Sequence, residues 1–267
     1  MKSLKISFLV LLPVILFSGC LKVDTKVIIN KDGSGTIEEQ VLMSDAVVSM
    51  MNEFMSSFQD STNTTEEFKL FKECELKDKA AEYGMGVKFV SGEEVKKNGW
   101  QGYKAIYSFE DLNKIKMETD PNRKIEMGID ESAEKNEYFN FKFIPGDVSE
   151  LIIDRPELET GGEEETYKES ESDEEGLDDN LIKMMDGMSV TISLVINGDI
   201  VETNATFVDG SKVTLLDIDF GKLLKNKNSL ELLKKNPPKN LDEMKEIIKN
   251  VPGIKLELQK PVSIKFR

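Results

Sequence analysis

The sequence predicts an α+β fold in which an antiparallel sheet, written as a hairpin, a helix pair and an antiparallel meander, carries helices packed on one face. Three observations lead there. Apolar residues alternate with polar ones on both sides of a KDGSG turn at 31–35, a helical repeat follows at 44–58, and Asn-Gly or Asp-Gly dipeptides stand between later alternating runs.

The hairpin comes first. Val23, Thr25, Val27 and Ile29 alternate, and TIEEQVLM returns after the turn. Ser44 can cap a helix to about Phe58, on which Val47, Met50, Met51, Phe54, Met55 and Phe58 fall on one face. A polar stretch, QDSTNTTEE, leads to a second helix expected over about 66–83 and ended by Gly84. Cys74 stands in that helix beside Phe68 and Phe71, which reads either as a small buried apolar residue or as a reactive thiol. Two strands then flank Asn98-Gly99 between Val87 and Phe109, and further strands are expected at 123–129 and 137–144.

Residues 157–179 differ in kind, with twelve acidic residues, one Lys and almost no aliphatic side chains. Such a segment cannot bury enough apolar area to order itself and reads as a solvated loop or linker. Beyond it, VTISLVI, DIVETNATF and SKVTLLDI meet at Asn197-Gly198 and Asp209-Gly210, the expected three-stranded meander. Short helices at 219–225, 228–235 and 240–250 and strands at 254–258 and 262–266 complete the chain. The expected organisation is a leader at 1–19, an α+β part at 20–156, the acidic segment at 157–179, and a meander with helices at 180–267 that completes the same domain.

Composition narrows function. The 267 residues include 35 Lys and Arg, 50 Asp and Glu and no His, a formal charge of −15. Nucleic acid is thereby excluded as an expected partner. The missing imidazole removes the usual neutral-pH base and zinc ligand, and GxSxG, HExxH, P-loop and GxGxxG motifs are absent. No enzyme and no cofactor is expected. The charge is uneven, because the acidic segment supplies most of it while 13 basic residues face 7 acidic ones from Lys212 onward.

The N-terminus gives an address. Lys2 and Lys5 precede ISFLVLLPVILF at 6–17, too short for a spanning helix, which needs about 20 residues. Phe17-Ser18-Gly19-Cys20 follows and resembles a bacterial lipobox, with Phe17 where Leu is usual. The resemblance implies cleavage after Gly19 and acylation of Cys20, which would anchor the chain in the envelope membrane. Leu21, rather than the Asp of inner-membrane retention, favours the outer membrane in a cell that has one. Strand signal starts two or three residues after Cys20, a reach of about 10 Å. The domain is expected to sit against the membrane.

Two motifs keep alternative readings. Asn30, Asp32 and Ser34 sit at calcium-loop positions, but Val41 replaces the bidentate carboxylate, so a hairpin turn competes with a weak cation loop. The face Val47, Met50, Met51, Phe54 and Met55 suits an ordinary core or, laid on a curved sheet, a groove for a lipid or other hydrophobic ligand.

The lipobox, the strand and DGSGT turn after it, the helix pair, GVKFVSGEEVKKNGWQGYKAIYSFEDLNKI at 86–115 and NGDIVETNATFVDGSKVTLLDI at 197–218 together resemble the LppM-like bacterial lipoproteins. That resemblance implies a membrane-anchored α+β domain at the cell envelope with a lipid-binding groove. A protein-interaction module using the acidic segment or open strand edges, and a histidine-free hydrolase using paired carboxylates, are the competing functions. The sequence names no protein partner.

Overall fold

The computed structural model describes residues 21–57, 67–118, 138–155, 187–226 and 241–267. Cys20 and the leader, the acidic segment, and the elements expected at 123–129 and 228–235 lie outside the described residues.

Strand β1 (Leu21–Ile29) and strand β2 (Gly35–Ser44) form the hairpin, paired from Leu21 with Met43 to Ile29 with Gly35. Strict alternation turns Val23, Val27, Ile37 and Val41 inward, so a one-residue slip would expose the whole set. The turn is a hairpin turn with no helix before it. Gly33 holds φ +82°, and Asp32 Oδ1 accepts from Ser34 N at 3.0 Å and Ser34 Oγ at 2.6 Å.

Helix α1 (Asp45–Ser57) follows directly, and Ser44 Oγ accepts from Val47 N at 3.4 Å, as the capping signal requires. Helix α2 (Glu73–Lys79) is far shorter than the expected 66–83. Residues 67–71 form no helix; Phe68, Leu70 and Phe71 pack on the core, and Phe68 N donates to Asn52 Oδ1 of α1 at 2.6 Å. Only Leu76 of α2 is buried, and Cys74 is exposed rather than packed with Phe68 and Phe71.

Strands β3 (Lys88–Lys97) and β4 (Trp100–Phe109) join at Asn98 (φ +55°) and Gly99 (φ +80°), the left-handed pair of a type I′ turn. A 3-10 turn (Leu112–Lys114), then β5 (Met117–Glu118), β6 (Tyr138–Ile144) and β7 (Ser149–Asp154) follow, β7 having gone unpredicted. Later come β8 (Ser189–Ile196), β9 (Ile200–Thr203), β10 (Val208–Asp209), β11 (Lys212–Asp219), helix α3 (Phe220–Lys225), helix α4 (Leu241–Lys249), β12 (Ile254–Leu256) and β13 (Val262–Phe266).

The fold is α+β with two mostly antiparallel sheets. The larger runs β10-β11-β8-β1-β2-β4-β3, with β12 also on β11, and the smaller runs β5-β6-β7-β13-β9. Residues 189–219 do not make the expected meander. Strand β8 lies between β1, which it meets in parallel, and β11, which it meets antiparallel. Both its edges are therefore taken, and β9 crosses to the other sheet to pair with β13. Asn197-Gly198 serves this crossing: Asn197 N donates to Ile29 O at 2.8 Å, and Asp199 N to Arg267 O at 2.9 Å.

One continuous core joins the sheets, including Ile29, Ile37, Tyr107 and Leu194 from the larger and Phe141, Leu151, Ile264 and Phe266 from the smaller.

Candidate functional site

Two places in the fold gather chemistry, one at the surface and one buried. The surface place is the end of the larger sheet where the chain enters at Leu21, immediately after Cys20. Across that end Leu21 pairs with Met43, Ser44 with Trp100, Lys22 with Ser189, and Ser189 with Asp219. Helix α1 springs from it, with Asp45 N bonded to Gly99 O at 2.9 Å. Lys22 Nζ stands 3.9 Å from the centroid of the Trp100 ring, a close cation–π contact.

The five residues expected to line a groove separate here. Val47 is buried, together with Val48, and Met51 and Met55 are half-buried. Met50 and Phe54 are instead 36% and 42% exposed. The helix is seated on the core by its Val47 and Val48 edge, so its apolar arc is only half covered. Met50 and Phe54 form the uncovered shoulder.

The buried place was not foreseen. Glu39 is wholly buried on the inner face of β2, between Ile37 and Val41. Its Oε1 accepts from Lys79 Nζ of α2 at 2.9 Å and its Oε2 from Tyr103 Oη of β4 at 3.2 Å, while Lys79 Nζ also donates to Tyr103 Oη at 3.0 Å. Tyr83 bonds Glu39 as well, and its ring lies 5.0 Å from that of Tyr107. Burial first, then the charge of Glu39, push the Tyr83, Tyr103 and Tyr107 hydroxyls well above the ordinary tyrosine range. Parity could have found this site. Ile37, Glu39, Val41 and Met43 share one face of an alternating strand, so an inward Ile37 implies an inward Glu39.

A second buried carboxylate, Glu257, accepts from Thr206 N, from Thr206 Oγ1 at 3.0 Å and from Gln259 N at 2.9 Å. These bonds hold the chain after β12 to the chain before β10. Among the described residues, no group of three or more His, Cys, Asp or Glu could hold a metal ion, and no helix is long and apolar enough to cross a membrane.

The geometry defines a class: a two-sheet α+β domain whose first strand begins directly after an N-terminal apolar segment. No protein-family model matches the chain, and no curated protein matches it. Among solved structures, the NMR structure of the folded domain of LppM from Mycobacterium tuberculosis is similar over 94% of this chain and 91% of that one, at 9% identity and a TM-score of 0.34. At that score the likeness carries no argument about activity, and the functional reading rests on this chain's own residues.

Proposed function

We propose that the protein is a bacterial envelope lipoprotein without catalytic activity, anchored by lipid on Cys20 and in the outer membrane where the cell has one. The observation that carries this reading is the adjacency of Phe17-Ser18-Gly19-Cys20 to a strand that starts at Leu21. An acylated Cys20 leaves no tether, so the lipid holds the sheet itself at the bilayer. The non-enzymatic part of the reading is supported by the burial of Glu39. A general acid or nucleophile must reach substrate, whereas this carboxylate is closed in by Lys79, Tyr83 and Tyr103 and ties β2 to α2 and β4.

Expression of the full chain in a lipoprotein-processing bacterium with a radiolabelled palmitate precursor tests the anchor. Label in the wild type that Cys20→Ser abolishes, with loss of the variant from the membrane fraction, is the expected result. An unlabelled wild type would overturn the reading.

Binding of a lipid or other hydrophobic ligand between the helix and the sheet is the finer form of the same proposal, supported by the half-buried Met51 and Met55 beside Val47. Mass spectrometry of material extracted from the native protein tests it, and finding no lipid counts against it. The protein-interaction reading draws less support. Edge strand β3 carries a bulge between Phe89 and Ser91 and the charges Lys88, Glu93, Glu94, Lys96 and Lys97, features that oppose strand addition.

A further inference from the structure

The end of the larger sheet that receives the chain at Leu21 brings together the exposed Met50 and Phe54, Trp100 and two lysines, and we infer that it is a membrane-docking face. In this inference Met50 and Phe54 enter the interfacial layer of the bilayer, with Trp100, Lys22 and Lys97 at headgroup level. The inference rests on the anchor reading and adds to it a fixed orientation of the domain.

Position comes first. The apolar run at 6–17 ends three residues before Cys20, and Leu21 is already in a ladder with Met43. One residue spans at most about 3.6 Å, so a membrane-held Cys20 brings the end of β1 to the interface. Strands in a ladder lie about 4.8 Å apart. Ser44, where α1 starts, and Trp100, paired with it, are therefore brought to the same level within two strands. While β1 stays in its sheet, this end of the domain is the one held nearest the bilayer.

Chemistry agrees with position. Val47, Val48, Met51 and Met55 use one half of the apolar arc of α1 for the core, and Met50 and Phe54 continue that arc into solvent. Glu53 is exposed and lies about 100° from Phe54 and about 60° from Met50 round the helix, at the border of that shoulder. Trp100 is half-buried, with Lys22 over its ring and Lys97 as its β3 partner. An indole beside lysine cations suits the polar boundary of a bilayer, where an aromatic ring finds both an apolar and a wet side and ammonium groups meet phosphates. A ligand enclosed in a groove would instead require Met50 and Phe54 to face the sheet, which they do not.

Trp100 is the sole tryptophan of the chain, so its fluorescence reports on this face alone. The full-length protein, purified from membranes and reconstituted into phosphatidylethanolamine and phosphatidylglycerol vesicles, is compared with and without brominated acyl chains. Flotation scores anchoring separately. The expected result is a protein that floats and loses Trp100 emission to brominated lipid. The Met50→Asp, Phe54→Asp double variant should still float while recovering that emission. Val201→Asp, at a comparably exposed site on the smaller sheet, should leave the quenching unchanged. A wild type that floats with Trp100 unquenched overturns the docking face and leaves the anchor standing. A wild type that does not float overturns both, and equal recovery by Val201→Asp overturns the docking face.

Discussion

Alkaline titration reaches the buried cluster directly, because three of the five tyrosines, Tyr83, Tyr103 and Tyr107, surround Glu39 in the core. In the unfolded chain a phenol ionises near pH 10. In the folded chain burial and the Glu39 charge hold all three protonated well above that value. The native state therefore binds more protons than the unfolded state above pH 10, and stability falls as pH rises. Each phenol costs about 1.4 kcal/mol at pH 11 and about 2.7 at pH 12, so the three together remove about 4 and then about 8 kcal/mol. Against a typical stability of about 5–15 kcal/mol, a cooperative unfolding between about pH 11 and 13 is expected. Absorbance at 295 nm and far-UV circular dichroism, followed together, check it. Three phenols should ionise only as the dichroism collapses. Their ionisation near pH 10 with the dichroism intact would refute the assignment of a closed cluster around Glu39.

Further outcomes follow from the same packing. Lys79→Met leaves the Glu39 carboxylate buried without its cation and should cost about 3–5 kcal/mol in urea unfolding. A loss under about 1 kcal/mol would show that water reaches Glu39. Tyr103→Phe removes a hydrogen bond to that carboxylate and should cost about 1–3 kcal/mol, whereas Tyr107→Phe deletes a buried hydroxyl with no bonding partner and should be neutral or stabilising. The two melting temperatures, measured side by side, decide it. Gly102→Ala would place a methyl 2.0 Å from Val41 O, so β2 and β4 must part and a drop in melting temperature well beyond that of an ordinary surface substitution is expected.

Much of this architecture was legible in the residues. Hairpins declare themselves locally, and the alternation around Asp32-Gly33 and the Asn98-Gly99 dipeptide each gave the right strand pair. What failed depends on competition for an edge. Asn197-Gly198 has the chemistry of a hairpin turn, yet β8 was already held on both sides by β1 and β11, partners roughly 165 and 25 residues away that no local pattern names. The N-terminal part of helix 66–83 failed for a related reason, since Phe68 and Phe71 satisfy a helical repeat but pack on the core from a non-helical chain tied to Asn52. The expected groove lining divided through seating, with Val47, Met51 and Met55 turned toward the core and Met50 and Phe54 left outside it. Periodicity identifies the apolar arc of α1, but not which half of it the core covers. Glu38 and Glu39 are adjacent on an alternating strand, so parity turns one of the two inward, but neither residue type nor spacing names the Lys79 and Tyr103 that receive it.

The placement of β1 also bears on how the domain carries load. A pull through residue 20 enters a strand clamped by nine paired positions on β2 and eight on β8, with the force directed along the strand. Both ladders must slide at once before either yields, unlike an edge strand, which can peel away one hydrogen bond at a time. A domain anchored through residue 20 would yield its first strand only by breaking both ladders, so its extraction would be set by the rate of global unfolding.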